Sequence, residues 1–280
     1  MDKNFNILSD NRPIGVFDSG IGGLTVLREL VKKFPYENFI YLGDTARLPY
    51  GSKSAGTVRR YSEQNMKFLI SRNVKSIVVA CNTASTQIFE THFENIPVYN
   101  VIDPGAELAV MMTKNKNIAV LGTRATVKAN NYEIKIKKIN SDLNVISLAC
   151  PLFVPLAEEG WHEDPITEQI CEKYLSVLKN KNIDTIVLGC THYPLLKKSI
   201  EKVLLKISTL KISLVDSGLA LANILENDFK NEKNIPNKNT PNTEILICLT
   251  DFGPQFESLS MDLLSTYTAK KIKFETVAVI

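Results

Sequence analysis

The sequence predicts an α/β fold of two pseudo-symmetric, doubly wound domains with mainly parallel sheets and an active site in the cleft between them. Three observations predict it. SIVVACNT at 76–83 and TIVLGCTH at 185–192 echo each other, each a run of β-branched residues ending in a small residue and a cysteine. Uninterrupted apolar runs of this kind are the mark of parallel strands buried on both faces. NIAVLGTRAT at 117–126 lies over PIGVFDSGIG at 13–22, so the strands ahead of the two echoes are paired as well. Strand and helix patterns alternate along the chain, which is the rhythm of βαβ units. The 280 residues have room for two such halves, expected over 1–103 plus 216–280 and over 104–215.

In order, residues 12–18 read as a strand, 19–23 as a glycine-rich loop and 24–31 as the start of a helix. The glycines at 20, 22 and 23 match neither the dinucleotide fingerprint nor the P-loop, so the loop reads as a tight βα turn. Asp18 ends the strand, where it either points into the crevice in which doubly wound sheets bind ligands or caps the helix. A strand at 38–42 leads to the loop GDTARLPYGS at 43–52, whose glycines and proline leave backbone amides free to approach a ligand. A helix over 55–72, the first cysteine strand, a helix over 84–93 and a strand over 97–102 complete the first run.

A helix beginning at 103 crosses to the second half. There a strand at 117–122, a lysine-rich helix, a strand at 143–149 and a helix over 165–178 precede the second cysteine strand. A strand at 211–215 ends in Asp216-Ser-Gly, a triplet outside the repeat register that reads as a helix cap. The stretch 231–242, rich in proline and asparagine, is expected as a surface loop. Strands at 244–249 and 272–277 flank a helix over 254–264 and are expected to return to the first domain.

Composition narrows the function. An apolar fraction of 44% with 22% charged residues is that of a soluble globular protein. The net charge of +3 comes from 33 basic and 30 acidic side chains, with the basic ones scattered, so no nucleic-acid partner is expected. No apolar run approaches ~20 residues and the first residues lack a signal-peptide core, so no membrane association and a cytoplasmic location are expected. The five cysteines, at 81, 150, 171, 190 and 248, form no CxxC pair. Reduced thiols are expected, without a disulfide framework or a zinc site.

Cys150, Cys171 and Cys248 read as small buried hydrophobes. Cys81 and Cys190 differ, because each stands at the carboxyl end of a strand and precedes a segment able to start a helix, which lowers a thiol pKa. Spacing alone leaves them as buried structural thiols or as a catalytic pair. His92 is expected on the surface, late in a helix, and His162 as a loop anchor beside the tryptophan. His192, two residues past Cys190, is placed to hold or receive a proton, or else to neighbour a helix cap. A cysteine–histidine pair also suits a thiol hydrolase, although that leaves Cys81 without a task. Two thiols on facing domains suit another reaction, in which one removes a proton from one face of a substrate carbon and the other supplies a proton to the opposite face.

With GVFDSGIGGLT at 15–25, GDTARLPYG at 43–51, VACNTA at 79–84, PLFVPLAE at 151–158 and LGCTHYPL at 188–195, the chain resembles the cofactor-independent glutamate racemases of the aspartate/glutamate racemase superfamily. The resemblance implies an isomerase that interconverts L- and D-glutamate without pyridoxal phosphate or metal and supplies D-glutamate for peptidoglycan, working as a homodimer. By position it implies Cys81 and Cys190 as the acid/base thiols, with Asp18 assisting Cys81 and His192 assisting Cys190. It implies substrate contacts from these four and from Ser19, Pro49, Tyr50, Gly51, Asn82, Thr83, Thr126 and Thr191. Glu158, or its neighbour Glu159, is the implied acid near the site. Hydroxyls and backbone amides suit the carboxylates of glutamate without an arginine clamp. A related racemase or decarboxylase, a single-thiol hydrolase and a non-catalytic amino-acid-binding protein are the alternatives.

Overall fold

The computed structural model describes residues 10–231, 243–268 and 270–280. The stretch expected as a surface loop at 231–242 lies, from 232 onward, outside the described residues.

The first half opens with β1 (Ile14–Asp18), α1 (Leu24–Lys33) and β2 (Phe39–Gly43). It continues with α2 (Ala55–Ser71), β3 (Ser76–Val79), α3 (Asn82–Ser85), β4 (His92–Phe93) and β5 (Ile96–Asn100). α4 (Ile102–Met112) leads to β6 (Asn117–Gly122), α5 (Arg124–Ala129), α6 (Asn131–Ile139) and β7 (Asn144–Ala149). Then follow α7 (Phe153–Glu158), α8 (Pro165–Leu175), β8 (Thr185–Gly189), α9 (Lys197–Ile207) and β9 (Ser213–Asp216). The chain closes with α10 (Ser217–Asn231), β10 (Glu244–Leu249), α11 (Pro254–Leu264) and β11 (Lys271–Thr276).

Local chemistry sets several of these boundaries. Ser54 accepts a hydrogen bond from Thr57 N and starts α2, and Asp164 accepts from Ile166 N ahead of Pro165 to start α8. Asp216 caps α10 as expected, its Oδ1 accepting from Gly218 N at 2.8 Å and Leu219 N at 3.2 Å. Asn100 Oδ1 accepts from the amides of Ile102 and Asp103, so β5 ends two residues earlier than expected and α4 begins.

The expected helix over 84–93 is not formed. α3 is a single turn, and the chain then enters a hairpin in which His92 faces Pro97 and Phe93 faces Ile96. Glu94 and Asn95 both have positive φ, 47° and 67°, the geometry of a tight turn whose twist matches paired strands. His92 is therefore exposed on a short strand rather than on a helix.

Two sheets result. One has the order β11-β10-β2-β1-β3-β5-β4 and the other β7-β6-β8-β9. Every pairing is parallel except β4 with β5. Within the first sheet, β2-β1-β3-β5 repeats the order of the whole second sheet, with β1 equivalent to β6 and β3 to β8. The two α/β halves of the expected fold are thus present, and β10 and β11 extend the first sheet beyond β2. β1, β2, β3 and β8 are buried along their whole lengths, as strands covered by helices on both faces must be. Among the described residues no helix is long and apolar enough to cross a membrane.

Candidate active site

The carboxyl ends of β1, β3, β6 and β8 meet in one cavity of about 290 Å³. From the first half it is lined by Ser19, Gly20, the loop Leu48 to Ser52, Cys81, Asn82 and Thr83. From the second it is lined by Thr123, Arg124, Pro151, Leu152, Val154, Pro155, Glu158, Cys190, Thr191 and His192. This is where open parallel sheets bind ligands, because loops leaving the carboxyl ends of the strands are free to vary without disturbing the ladder.

Cys81 follows β3 and stands at the head of α3, its Sγ accepting from Ala84 N at 3.4 Å. Its thiol donates to Ser19 Oγ at 3.9 Å, and the Asp18 carboxyl is near enough for its charge to act on the thiol. The expectation that a helix start lowers this thiol's pKa is overturned. Burial, and then the negative charge of Asp18, push it well above the ordinary thiol range, and the one amide of a four-residue helix does not offset them. Asp18 is itself fully buried and its pKa is raised by that burial, against the opposing pull of His192 and of the amides of Gly20 and Gly23. Both amides donate to Asp18 Oδ2 at 3.1 Å. The glycine-rich loop is thus a cradle for its own aspartate.

Cys190 follows β8. Its Sγ is 3.8 Å from His192 Nδ1, and His192 Nε2 is 3.0 Å from Glu158 Oε1. Burial alone would lower the imidazole pKa, but the hydrogen bonds to Cys190 and Glu158 outweigh it and hold the pKa up to about 10. Gly22 makes room for this arrangement. A Cβ there would come within 2.4 Å of Thr191 Oγ1 and 2.5 Å of His192 Nδ1, so the first half's loop packs directly on the second half's Thr-His pair.

Hydrogen bonds join the halves around the cavity. Thr191 Oγ1 donates to Asp18 Oδ1 at 3.4 Å, while Thr25 Oγ1 donates to Thr191 O at 2.8 Å. Thr83 Oγ1 lies 3.0 Å from Thr123 Oγ1 and 3.3 Å from Thr126 Oγ1. Tyr132 Oη donates to Asn82 Oδ1 at 2.6 Å. Among the described residues no group of three or more His, Cys, Asp or Glu side chains could hold a metal ion.

Residues 21–225 match the model of a family described as Asp/Glu/Hydantoin racemase. The chain belongs to this racemase family. It is 43% identical over 264 residues to a glutamate racemase of Sulfurihydrogenibium, covering 93% of this chain and 97% of that one. It is 46% identical over 248 residues to the glutamate racemase of Persephonella marina, covering 88% and 91%. The crystal structure of glutamate racemase from Francisella tularensis in complex with D-glutamate superposes with a TM-score of 0.86 at 39% identity, covering 96% of this chain and 98% of that one. Membership in a racemase family makes the chain an isomerase, as the motifs implied.

Within this racemase fold, most of the residues singled out from sequence line the cavity. Asp18 and Thr126 do not. Asp18 lies behind Ser19 against the thiol of Cys81, and Thr126 lies behind Thr83 and Thr123. Tyr50 presents its ring, since its hydroxyl donates to Asp44 and accepts from Asn65 Nδ2. Of the two adjacent acids, Glu158 lines the cavity and reaches His192, whereas Glu159 is exposed. Arg124 lines the cavity even though no arginine was expected there, and Thr123 joins it while capping α5. Both follow β6 in the register equivalent to Ser19 and Gly20, so the repeat alignment held the signal. His162 anchors its loop through Nε2 to Ala157 O at 3.1 Å.

Proposed function

We propose that this chain interconverts L- and D-glutamate by proton transfer between two thiols, Cys81 and Cys190, on opposite faces of the substrate α-carbon. The observation that carries the proposal is that two cysteines from equivalent strand ends line the same cavity. One sulfur, as thiolate, takes the α-proton, and the other, as thiol, delivers a proton to the opposite face. Deprotonation leaves two electrons on the α-carbon and its carboxylate, which hydroxyl and amide donors around the cavity stabilise in place of a cofactor.

Ser19, Gly51, Asn82, Thr83 and Thr191 are the donors proposed for the two carboxylates, with Arg124 at the lining as a further positive charge. Asp18 takes up or returns the proton of Cys81, and the His192 imidazolium plays that part for Cys190. The relatives named glutamate racemase over nearly the whole chain support glutamate as substrate. The product D-glutamate would serve peptidoglycan synthesis in the cytoplasm, and the enzyme would act as a homodimer.

One observation favours a second reading. Cys190, His192 and Glu158 form a nucleophile–base–carboxylate series of the kind a thiol hydrolase uses. That reading uses one thiol and gives Cys81 nothing to do. Circular dichroism of L-glutamate incubated with the purified protein, without added cofactor, separates the two. Decay of the signal to zero is expected, and a stable signal with a covalent adduct on Cys190 would favour the hydrolase.

A further inference from the structure

Asn82 is 2% exposed and lines the cavity, yet its Nδ2 has no hydrogen-bond partner among the described residues. Leaving a buried amide donor unpaired costs on the order of 1–3 kcal/mol, so such a group calls for an explanation. Its other end is firmly held. Tyr132 Oη donates to Asn82 Oδ1 at 2.6 Å, and Tyr132, also 2% exposed, packs beside Ser217 over Gly105. The three groups stand in series, with Ser217 beside the phenol, the phenol donating to the amide oxygen, and the amide nitrogen left without a partner among the described residues.

The series crosses the molecule. Ser217 opens α10, Tyr132 is on α6 in the second half, and Asn82 opens α3 in the first. The phenol ring is fixed against β8, where a Cβ on Gly189 would lie 3.1 Å from Tyr132 Cε2 and 2.7 Å from Leu121 O. A side chain at 189 would displace the ring.

From this we infer that Tyr132 is a positioning residue that locks the amide of Asn82, so that Nδ2 rather than Oδ1 faces a carboxylate of the bound amino acid. A primary amide presents a donor or an acceptor depending on a half-turn about its last bond. Facing an anion, the acceptor repels it. By occupying Oδ1 with an O–H donor, Tyr132 makes the donor-inward orientation the satisfied one. It does so without touching the substrate. The inference rests on the proposed glutamate racemase activity and assigns the orientation of one of its carboxylate donors.

Steady-state kinetics of the full chain test it, with L- and D-glutamate and with Tyr132→Phe, Asn82→Ala and the double variant. Tyr132→Phe is expected to raise KM about tenfold to hundredfold, the scale of one hydrogen bond to a charged group, with a smaller fall in kcat. In the Asn82→Ala background the same substitution is expected to change KM by less than about twofold, because its target is gone. Unchanged KM in Tyr132→Phe, or effects of the two substitutions that multiply, would overturn the inference, since a merely structural tyrosine acts independently of Asn82.

Should Tyr132→Phe not fold, Ser217→Ala decides. A rise in KM that disappears in the Asn82→Ala background supports the lock, and no such dependence rejects it. Wild-type protein inert toward glutamate would instead remove the proposed function, and this inference with it. Activity in the wild type with no coupling between Tyr132 and Asn82 would remove the inference alone.

Discussion

Cys81 and Cys190 occupy equivalent places in the two sheets and have opposite surroundings. Cys81 follows β3, the neighbour of β1, and Cys190 follows β8, the neighbour of β6, and they are 5% and 6% exposed. Beside Cys81 stands a buried carboxyl, Asp18, and the thiol is pushed up. Next to Cys190 stands an imidazole whose pKa is held near 10 by that sulfur and by Glu158.

The difference comes from two positions. β1 ends in Asp18 where β6 ends in Gly122, and the residue two places after the cysteine is Thr83 in one half and His192 in the other. The two halves have kept the placement of the sulfurs and let their neighbours diverge, and in the proposed mechanism those neighbours are the proton stores. Opposite faces of one carbon require mirrored positions for the two proton carriers, but nothing requires that both be restored by the same chemistry.

Substitutions that break the pair outright should have the largest effect. Cys81→Ala and Cys190→Ala are each expected to lower racemisation by at least about 10³-fold, the scale of losing a positioned acid or base, with circular dichroism melts showing the fold intact. Next come the proton stores. Asp18→Asn and His192→Asn are each expected to lower kcat/KM by about 10²-fold. Because enantiomers are equally stable, that loss must be the same in both directions, so the asymmetry appears in kcat. Asp18→Asn should slow mainly the direction begun by Cys81, and His192→Asn the direction begun by Cys190. Primary isotope effects with α-deuterated L- and D-glutamate read this, and indistinguishable kcat ratios for the two variants would make Asp18 and His192 general rather than thiol-specific partners.

A milder change sharpens the comparison on the Cys190 side. Glu158→Gln removes a carboxylate that raises the His192 pKa, so the alkaline fall in activity should begin at lower pH in the variant. The linkage has a definite sign. A histidine raised from its ordinary 6.5 to about 10 adds stability that is fully present below pH 6.5 and is lost as pH rises through about 10. Melting temperatures measured across that window should therefore fall more steeply in wild type than in Glu158→Gln.

The smallest effect is on the Cys81 side and runs against function. The folded-state pKa of Asp18 is raised by burial, so the native state holds its proton more tightly than the unfolded chain, and stability declines as pH rises past the ordinary carboxyl range. Asp18→Asn should consequently melt higher than wild type at pH 7, with the gap closing on acidification toward pH 4. A variant less stable than wild type at neutral pH would mean that Asp18 is held for the fold rather than for the thiol.

The strands that carry these groups were legible because a strand buried on both faces is a continuous β-branched run, and two such runs ending in cysteine stood out from the helices. α11 was likewise legible to its end residues, 254–264. The stretch after Cys81 was not, because one helical turn followed by a hairpin leaves no periodicity. Its turn depends on positive φ at Glu94 and Asn95, residues that also suit a helix surface.

The thiol pKa was misjudged for a related reason. A sequence can show that a cysteine opens a helix, but not that its thiol is buried, which is the main cause of its raised pKa, ahead of the charge of Asp18. Tyr132 escaped notice because its distance from Asn82 is short only in space, whereas Arg124 lies within the repeat segment 117–126 and needed only the register of Gly20 to be found.

The most direct test of the paired-thiol account is elimination from a β-halogenated glutamate, which needs a single base and no second proton. Cys81→Ala and Cys190→Ala, both inactive as racemases, are expected to release halide each from one enantiomer of the substrate, and from opposite enantiomers. Release from the same enantiomer by both variants, or racemisation persisting in either, would contradict a mechanism in which the two sulfurs work on opposite faces of one carbon.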